Sequence, residues 1–466
     1  MISKLVEALK SIVDHRYVVT GGNIDEHYCK DTSGKHVSAP AAVVRPASSE
    51  EVAAIVKVAA AHGVSVTVVG GHTGSSGAAV AADGAIVISL DRMNRIERID
   101  PQSMTMTLEA GCIVQVAQEA AEAQGALLPL DLGSRGSATI GGVIGTNAGG
   151  NRVLRWGMMR DMVIGLEAVL ADGTIISSLT GMLKDNAGYN WKHLLIGSEG
   201  TLAIVTKAVL RLRPLPTTRQ TALVATEDFD SAVTVLRQLE VRLSGRLTSF
   251  ELLWGNFYEA MTQAQLEQRQ RPLPSGYGFY AVLEAMGGDT ETDADQFERV
   301  LADLIEGGTI VDAVIAQSER ERDAIWAIRE DFQPLLATMR PLAVYDVSMA
   351  VADMPSFVGA ASDAIEAKHP GSTILFYGHA GDGNLHALVS NGEMDKQIQL
   401  DFDTAVFGAV RDVGGSISAE HGVGVLRAPF LSWSRSDSEI ALMRTLKAAL
   451  DPDNILNPGK VLLPAS

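Results

Sequence analysis

The sequence of 466 residues predicts an α+β fold with two domains. From about residue 40, short β-rich runs alternate with glycine clusters and short helices. From about residue 219, strands alternate with longer helices, which is typical of an antiparallel sheet with helices on one face. Two prolines within 213–218 separate these regions, because proline interrupts strand pairing. We therefore expect a first domain at 1–215, a second at 216–425 and a C-terminal segment at 426–466 that returns to the first domain.

Apolar spacing and a serine cap predict the first helices and strands of the chain. Apolar residues at helical spacing, with charged residues between them, predict an amphipathic helix within Met1–Tyr17. Ala41–Arg45 and Ser65–Val69 are predicted strands. Ser49–His62 between them is a predicted helix, because it has a serine cap and acids in its first turn.

The second domain alternates predicted strands and helices. The strands are Thr221–Thr226, Leu247–Leu253, Gly278–Glu284, Ile310–Ile315, Ala343–Met349 and Thr373–Tyr377. The helices lie near 228–243, 290–306, 319–338 and 354–368. A last helix, Ser438–Leu450, precedes a terminal loop at 451–460.

Composition narrows the functional classes. The net charge of -18 argues against a nucleic-acid partner, since phosphate binding needs a basic surface. The two cysteines cannot form a disulfide framework. No window approaches 18 uncharged apolar residues, so we expect no transmembrane segment and a cytoplasmic protein, with peripheral membrane contact left open.

Three glycine-rich segments point to one long ligand. Gly70–Gly77 follows a strand and supplies backbone N–H groups and hydroxyls that suit a pyrophosphate. Thr139–Gly150 and Gly197–Thr201 repeat this chemistry, which a flexible surface loop does not explain. A dinucleotide with a large ring would account for all three, although the G-x-G-x-x-G spacing of nicotinamide enzymes is absent.

Two histidines flank a glycine-rich turn in the segment Gly378–His386. If Gly381–Asn384 forms the turn, His379 lies directly across from His386 on one sheet face. Two imidazoles so placed can bind one metal ion. The alternative is that they merely flank a tight turn.

The segment Ser418–Gly424 adds a carboxylate and a third imidazole. Glu420 would complete a set with His379 and His386 that leaves coordination positions open for substrate. Zinc fits this set, and manganese, iron and cobalt fit its ligand types. His421 would then act as a base toward a metal-activated alcohol, the alternative being a helix-cap or turn histidine.

The motifs together resemble the FAD-linked oxidases of the vanillyl-alcohol oxidase superfamily, in the branch of D-lactate, glycolate and D-2-hydroxyglutarate dehydrogenases. The matching segments are Gly70–Gly77, Met93–Ile96, Pro129–Ser134, Ile140–Gly150, Gly197–Leu202, Gly378–His386, Glu420–Gly424 and Leu456–Lys460. The resemblance implies FAD held non-covalently by the first domain, a metal-bearing cap domain, and flavin and metal facing each other at their interface. FAD would accept a hydride at N5 while His421 removes the hydroxyl proton of a D-2-hydroxy acid.

The resemblance also implies which residues lie near the cofactor. They are Gly70, Gly71, His72, Thr73, Gly74, Ser75, Ser76, Pro129, Gly133, Ser134, Gly142, Thr146, Asn147, Gly149, Glu199, Gly200, Ile204 and Asn457. Ala203 stands where the family usually has glycine, and we expect no functional consequence.

The substrate prediction depends on four positions. Arg329 resembles the arginine of a family motif and would bind the substrate carboxylate, the alternative being an ordinary salt bridge. The D-2-hydroxyglutarate members carry lysine, threonine and asparagine where this chain has Val344, Gln333 and Leu388. A buried apolar Val344 and Leu388 would favour a monocarboxylate such as D-lactate, glycolate or D-mandelate, with D-2-hydroxyglutarate as the alternative.

Two other functional classes compete. A metal-dependent hydrolase would use the histidines but leave the glycine loops unexplained. A non-catalytic flavin-binding subunit would relay electrons or mediate assembly. For an enzyme, the electron acceptor is open among a quinone, a cytochrome, an electron-transfer flavoprotein and O2, and a homodimer is compatible with the sequence.

Overall fold

The computed structural model describes residues 2–265 and 270–464, so Met1, 266–269 and the last two residues lie outside the description. The chain divides into two compact units. Unit 1 comprises residues 1–150, 157–215 and 420–466, and unit 2 comprises residues 151–156 and 216–419. Two stretches therefore group differently from the expected domains: 151–156 belongs to unit 2, and 420–425 belongs to unit 1.

The helices and strands are numbered in chain order. The helices are α1 (Ile2–Ile12), α2 (Ser49–Ala61), α3 (Val114–Glu122), α4 (Ile140–Thr146), α5 (Val153–Trp156), α6 (Met159–Met162), α7 (Lys192–Leu195), α8 (Phe229–Arg242), α9 (Gly255–Gln265), α10 (Asp293–Glu306), α11 (Glu319–Glu330), α12 (Gln333–Thr338), α13 (Met354–Lys368), α14 (Lys396–Asp412) and α15 (Asp437–Leu450). The strands are β1 (Val18–Thr20), β2 (Ala42–Val44), β3 (Val66–Val69), β4 (Ile86–Ser89), β5 (Ile96–Asp100), β6 (Thr105–Glu109), β7 (Ala126–Leu127), β8 (Val163–Val169), β9 (Ile175–Ser178), β10 (Ile204–Arg211), β11 (Arg213–Pro214), β12 (Thr218–Thr226), β13 (Leu247–Trp254), β14 (Phe279–Gly287), β15 (Asp312–Ile315), β16 (Ala343–Ser348), β17 (Thr373–His379) and β18 (Asn384–Ser390). Among the described residues, no helix is long and apolar enough to cross a membrane.

Unit 1 contains two main sheets. In the four-stranded sheet, of order β1-β2-β4-β3, β1 pairs antiparallel with β2, whereas β2, β4 and β3 are parallel. The five-stranded sheet, of order β5-β6-β10-β8-β9, is antiparallel. The predicted helix after β2 is present, and its serine cap is Ser48, whose hydroxyl accepts a hydrogen bond from the Glu51 N–H at 3.2 Å.

Unit 2 is built on one seven-stranded antiparallel sheet of order β15-β12-β14-β13-β17-β18-β16. The expectation of helices on one face is wrong, because helices cover both faces. Phe376 and Tyr377 are adjacent on β17 and point to opposite faces: Phe376 contacts Phe357 of α13, and Tyr377 stacks on Phe257 of α9. The central strands β13, β14 and β18 are buried at nearly every position, so their apolar runs require cover on both sides.

The predicted elements of unit 2 are present within a few residues, with two kinds of difference. The helix expected at 319–338 is two helices, α11 and α12, because Pro334 in the first turn of α12 lacks the N–H that a continuous helix would need. Helices α9 and α14 were not predicted. A cap signal for α14 was present, since the Asp395 carboxylate accepts a hydrogen bond from the Ile398 N–H at 2.8 Å.

The C-terminal segment completes unit 1 through a buried ion pair. The ammonium of Lys447 on α15 forms an ion pair with Asp451 and donates to the carbonyls of Thr201 and Leu456, each at 2.8 Å. Asp451 is 1% exposed. Burial lowers the pKa of Lys447, although Asp451 opposes that shift. Removing the ammonium would leave a buried carboxylate without its counter-ion.

We predict that Lys447→Met destabilises unit 1 by about 3 kcal/mol, the usual cost of breaking a buried pair, and lowers Tm by about 6–10 °C. Lys10→Met is the matched control, because Lys10 pairs with Glu7 at the surface and its loss costs under about 0.5 kcal/mol. Thermal unfolding followed by circular dichroism measures both variants. Equal Tm values for the two variants would contradict the prediction.

Candidate functional site

The two histidines of the hairpin share a sheet face, but their register is not the predicted one. β17 and β18 pair Tyr377, not His379, with His386. Residues 380–383 form the turn, one residue earlier than expected, because Gly383 takes the left-handed backbone conformation (φ +86°) that ends it. A one-residue displacement of the turn shifts the pairing by two, so both imidazoles stay on one face. Their ring centroids are 5.5 Å apart.

Each imidazole lies across from a buried carboxylate on the neighbouring strand. Glu251 on β13 is paired with His379, and Asp346 on β16 is paired with His386. The distance from Glu251 Oε1 to His379 Nδ1 is 2.8 Å, and that from Asp346 Oδ1 to His386 Nδ1 is 3.8 Å. Sequence reasoning missed both acids, because only the strand register shows which residues face the histidines.

Arg329 is held by the same carboxylate as His379. Glu251 Oε2 accepts a hydrogen bond from Arg329 Nε at 3.0 Å, and Arg329 Nη2 lies 3.2 Å from His379 Nε2. Burial would raise the pKa of Glu251, but His379 and Arg329 hold that pKa below its usual range. The predicted carboxylate anchor is thus 8% exposed and ion-paired, although its partner lies on β13 and not within its own helix.

Glu420 comes directly after a segment of unit 2 that lies beside β16. Segment 416–419 runs beside β16, where the Ala419 N–H donates to the Asp346 carbonyl at 3.4 Å, and Glu420 is the next residue. One donor atom each from His379, His386 and Glu420 lies within 4.8 Å of the other two. Donor atoms around one zinc or manganese ion are about 3.4 Å apart. Small side-chain movements would therefore bring the three donor atoms to the spacing that an ion needs. The residues therefore fit a metal ion, and its binding stays a prediction.

The other predicted site residues differ in accessibility. His421 follows Glu420 and is partly buried, and Gln333 is exposed at the start of α12. Leu388 is buried in the apolar cluster that packs against Tyr377. Val344 is 45% exposed, so the expectation of a buried Val344 is wrong. It lies on β16, the last strand in the sheet order, and segment 416–419 runs beside that strand at Ser348 and Asp346.

The glycines at 70–77 serve two purposes. A Cβ at Gly70 or Gly71 would lie 2.2 Å from Thr139 Oγ1 or 1.9 Å from the Ser137 carbonyl oxygen, so these glycines permit close packing within unit 1. A Cβ at Gly74 would meet nothing within 4 Å. The tip of the loop is therefore open, which fits a ligand that approaches the backbone.

His72 shapes this loop as a neutral imidazole. It has a positive φ of 54° and lies 4.6 Å from His27 and 5.1 Å from Tyr28 between ring centroids. Burial, and next the charge of His27, lower the pKa of His72 to about 4. Near pH 7 it would contribute hydrogen bonding to a ligand and no positive charge.

Several predicted cofactor residues have side chains that form hydrogen bonds within unit 1. The Asn457 amide accepts from Thr67 Oγ1 at 2.9 Å and donates to the Ala78 and Glu199 carbonyls at 2.9 and 2.8 Å. The Glu199 carboxylate accepts from the Val423 and Gly424 N–H groups, and burial raises its pKa. The side chains of Asn147 and Thr146 also form hydrogen bonds within unit 1. Four further members are buried: Ile204, Ser76, Pro129 and Gly149. Accessible members are Thr73, Gly74, Gly133, Ser134 and Gly142.

Comparison with known protein families decides the family. The FAD binding domain family matches residues 40–178, and the C-terminal domain family of FAD linked oxidases matches residues 215–461, more than half of the chain. The chain belongs to the FAD-linked oxidases. It is therefore an oxidoreductase, and the open glycine loop of unit 1 lies within the region that matches the FAD binding domain.

Full-length relatives and solved structures agree with this assignment. This FAD-linked oxidase is 37% identical to D-2-hydroxyglutarate dehydrogenase of Stutzerimonas stutzeri over 98% of both chains. It is 34% identical to the mitochondrial D-2-hydroxyglutarate dehydrogenase of Arabidopsis thaliana, over 99% of this chain and 82% of that one. 4-Ethylphenol oxidase from Gulosibacter chungangensis matches with a TM-score of 0.75 at 17% identity, over 99% and 97% of the two chains. The predicted two-domain fold of the vanillyl-alcohol oxidase type is confirmed.

We predict that the purified protein binds about one divalent ion per chain and that His386→Ala abolishes this binding, because one imidazole and one carboxylate hold an ion weakly. The protein would be stripped with a chelator, reloaded with zinc or manganese, desalted and assayed by mass spectrometry of the metal.

His369→Ala is the control, since His369 pairs with Asp401 at 3.2 Å away from the hairpin and should leave the metal content unchanged. A wild-type protein without metal, or an H386A protein with full metal content, would contradict the assignment.

Proposed function

We propose that this FAD-linked oxidase oxidises a D-2-hydroxy acid to the 2-oxo acid. The observation that carries the proposal is the grouping of His379, His386 and Glu420 beside Arg329. Two imidazoles and a carboxylate suit an ion that activates a hydroxyl, and a neighbouring guanidinium suits a carboxylate. The names of the relatives from Stutzerimonas stutzeri and Arabidopsis thaliana support the same chemistry.

The proposed roles divide the reaction among these residues. When bound, FAD accepts two electrons as a hydride, and the metal ion lowers the pKa of the substrate hydroxyl. His379, His386 and Glu420 would hold the ion. The imidazole of His421 takes the hydroxyl proton, and Arg329 orients the substrate carboxylate with the part of its guanidinium that Glu251 does not occupy.

D-2-hydroxyglutarate is the substrate that the relatives favour. This reverses the preference for a monocarboxylate drawn from three departures in the pocket. One premise of that preference was a buried Val344, and Val344 is 45% exposed. The side chain of Val344 is therefore accessible to the distal part of a longer substrate.

A monocarboxylate such as D-lactate, glycolate or D-mandelate is the second candidate. Val344 is paired with Leu388, two residues from the pair of Asp346 and His386, so all four positions lie on the face of the candidate metal site. Val344 and Leu388 offer no charge to a distal carboxylate. This observation favours a substrate with a small or apolar side chain.

We predict that D-2-hydroxyglutarate bleaches the flavin absorbance near 450 nm faster than the other acids under anaerobic conditions. The panel contains D-2-hydroxyglutarate, D-lactate, glycolate, D-mandelate and the L enantiomers. Chelation should slow bleaching at least about 100-fold, since loss of metal activation removes several kcal/mol of transition-state stabilisation.

The outcomes separate the candidates. If D-lactate or D-mandelate bleaches the flavin faster than D-2-hydroxyglutarate does, the substrate is a monocarboxylate. A flavin that no acid bleaches would support the non-catalytic electron-relay subunit. Turnover in air with and without an artificial acceptor would distinguish an oxidase from a dehydrogenase.

We predict that Val344→Lys raises kcat/KM for D-2-hydroxyglutarate relative to D-lactate by about fivefold, which corresponds to about 1 kcal/mol for a partly exposed ion pair. Val241→Lys is the matched control, because Val241 is also exposed but lies on α8. Steady-state kinetics measures both ratios. An unchanged ratio in V344K would place the distal carboxylate elsewhere.

A further inference from the structure

We propose that Glu251 is a positioning residue for the metal site and the substrate anchor together. One oxygen of its carboxylate faces His379 Nδ1 at 2.8 Å, and the other accepts from Arg329 Nε at 3.0 Å. The inference rests on the proposed function, because it takes His379 as a metal ligand and Arg329 as the carboxylate anchor.

The contact with Glu251 determines which nitrogen of His379 can bind a metal. A neutral imidazole has one N–H donor and one lone pair, and an ionised carboxylate only accepts. Glu251 therefore places the hydrogen on Nδ1 and leaves the lone pair on Nε2. A carboxylate that accepts from the outer N–H of a metal-bound histidine also fixes the plane of the ring.

The same geometry couples the ion to Arg329. Arg329 Nη2 lies 3.2 Å from His379 Nε2, where the single lone pair points. An ion bound to Nε2 takes the place of this hydrogen bond and releases Nη2. Arg329 stays beside the ion because its Nε is still bound to Glu251, so the released N–H group is available to a substrate carboxylate.

The sheet makes Glu251 rigid enough for this role. Glu251 is 1% exposed and directly paired with His379 in the β13–β17 register, and β14 pairs with β13 on its other side. The contact between Asp346 and His386 is looser, at 3.8 Å, and Asp346 Oδ1 also accepts from the Asn384 amide at 2.9 Å. The contact of Glu251 with its histidine is therefore the shorter of the two.

Glu251→Gln tests the proposal. A carboxamide has an acceptor oxygen in one position and a donor NH2 group in the other, so either His379 Nδ1–H or Arg329 Nε–H would face a donor instead of an acceptor. We expect the affinity for zinc or manganese, measured by competition with a chelating dye, to fall about 10–100-fold. At saturating metal, the KM for the hydroxy acid should rise because Arg329 is no longer held, while the flavin absorbance per chain is unchanged.

Glu284→Gln is the matched control. Glu284 is a fully buried carboxylate on the neighbouring strand β14, where it pairs with Arg219 at 2.5 Å and accepts from the Trp326 indole. If both variants lower Tm but only E251Q weakens metal binding, the role of Glu251 is positional. If E251Q binds metal as tightly as wild type and E284Q do, the proposal is overturned.

Glu251→Asp is a second variant that tests the proposal if the E251Q protein does not fold. It retains the charge beside Arg329 but withdraws the carboxylate by one methylene, so metal affinity should again fall, and wild-type affinity would overturn the proposal. A wild-type protein that takes up no metal would overturn the proposed metal site itself. A wild type that binds metal and an H379A variant that does not, together with unaffected Glu251 variants, would overturn only the role of Glu251.

Discussion

Glu251 on β13 and Arg329 on α11 form a buried ion pair in unit 2, and His379 contacts both of them. A buried carboxylate or guanidinium is costly unless it is paired, so this group is stable only while its members keep their positions. The strand register meets that requirement by placing Glu251 across from His379 and Asp346 across from His386. The histidines are thus presented by a rigid surface and not by a loose turn.

Unit 1 meets a different constraint with backbone and with polar side chains. Close packing of the loop at 70–77 on segment 137–139 requires glycine at two positions, while the loop tip stays open. Asn457 and Glu199 join the C-terminal segment, the 197–201 turn and β3 through buried hydrogen bonds. These bonds fix the shape of the loops, so ligand binding can depend on exposed backbone and small side chains.

The sequence predicted most elements of unit 2 and a few of unit 1, because their signals are local. Serine and aspartate caps, proline breaks and apolar runs depend on neighbouring residues, and α2, α13 and β16 were found in this way. The distribution of helices over both faces of the sheet was missed because the apolar runs were not recognised as strands buried on both sides. The hairpin turn was misplaced by one residue because several glycines could supply its left-handed position.

The sequence by itself determined the family, the cofactor class and the candidate metal ligands, because these follow from ordered motifs whose residue types carry the chemistry. Only the tertiary structure decided that Glu251, 128 residues from His379, faces it across paired strands. It also decided that Arg329 is buried and that Val344 is exposed on β16, the last strand in the sheet order. Such facts depend on strand order and register, which join distant segments through backbone pairing that no local pattern encodes.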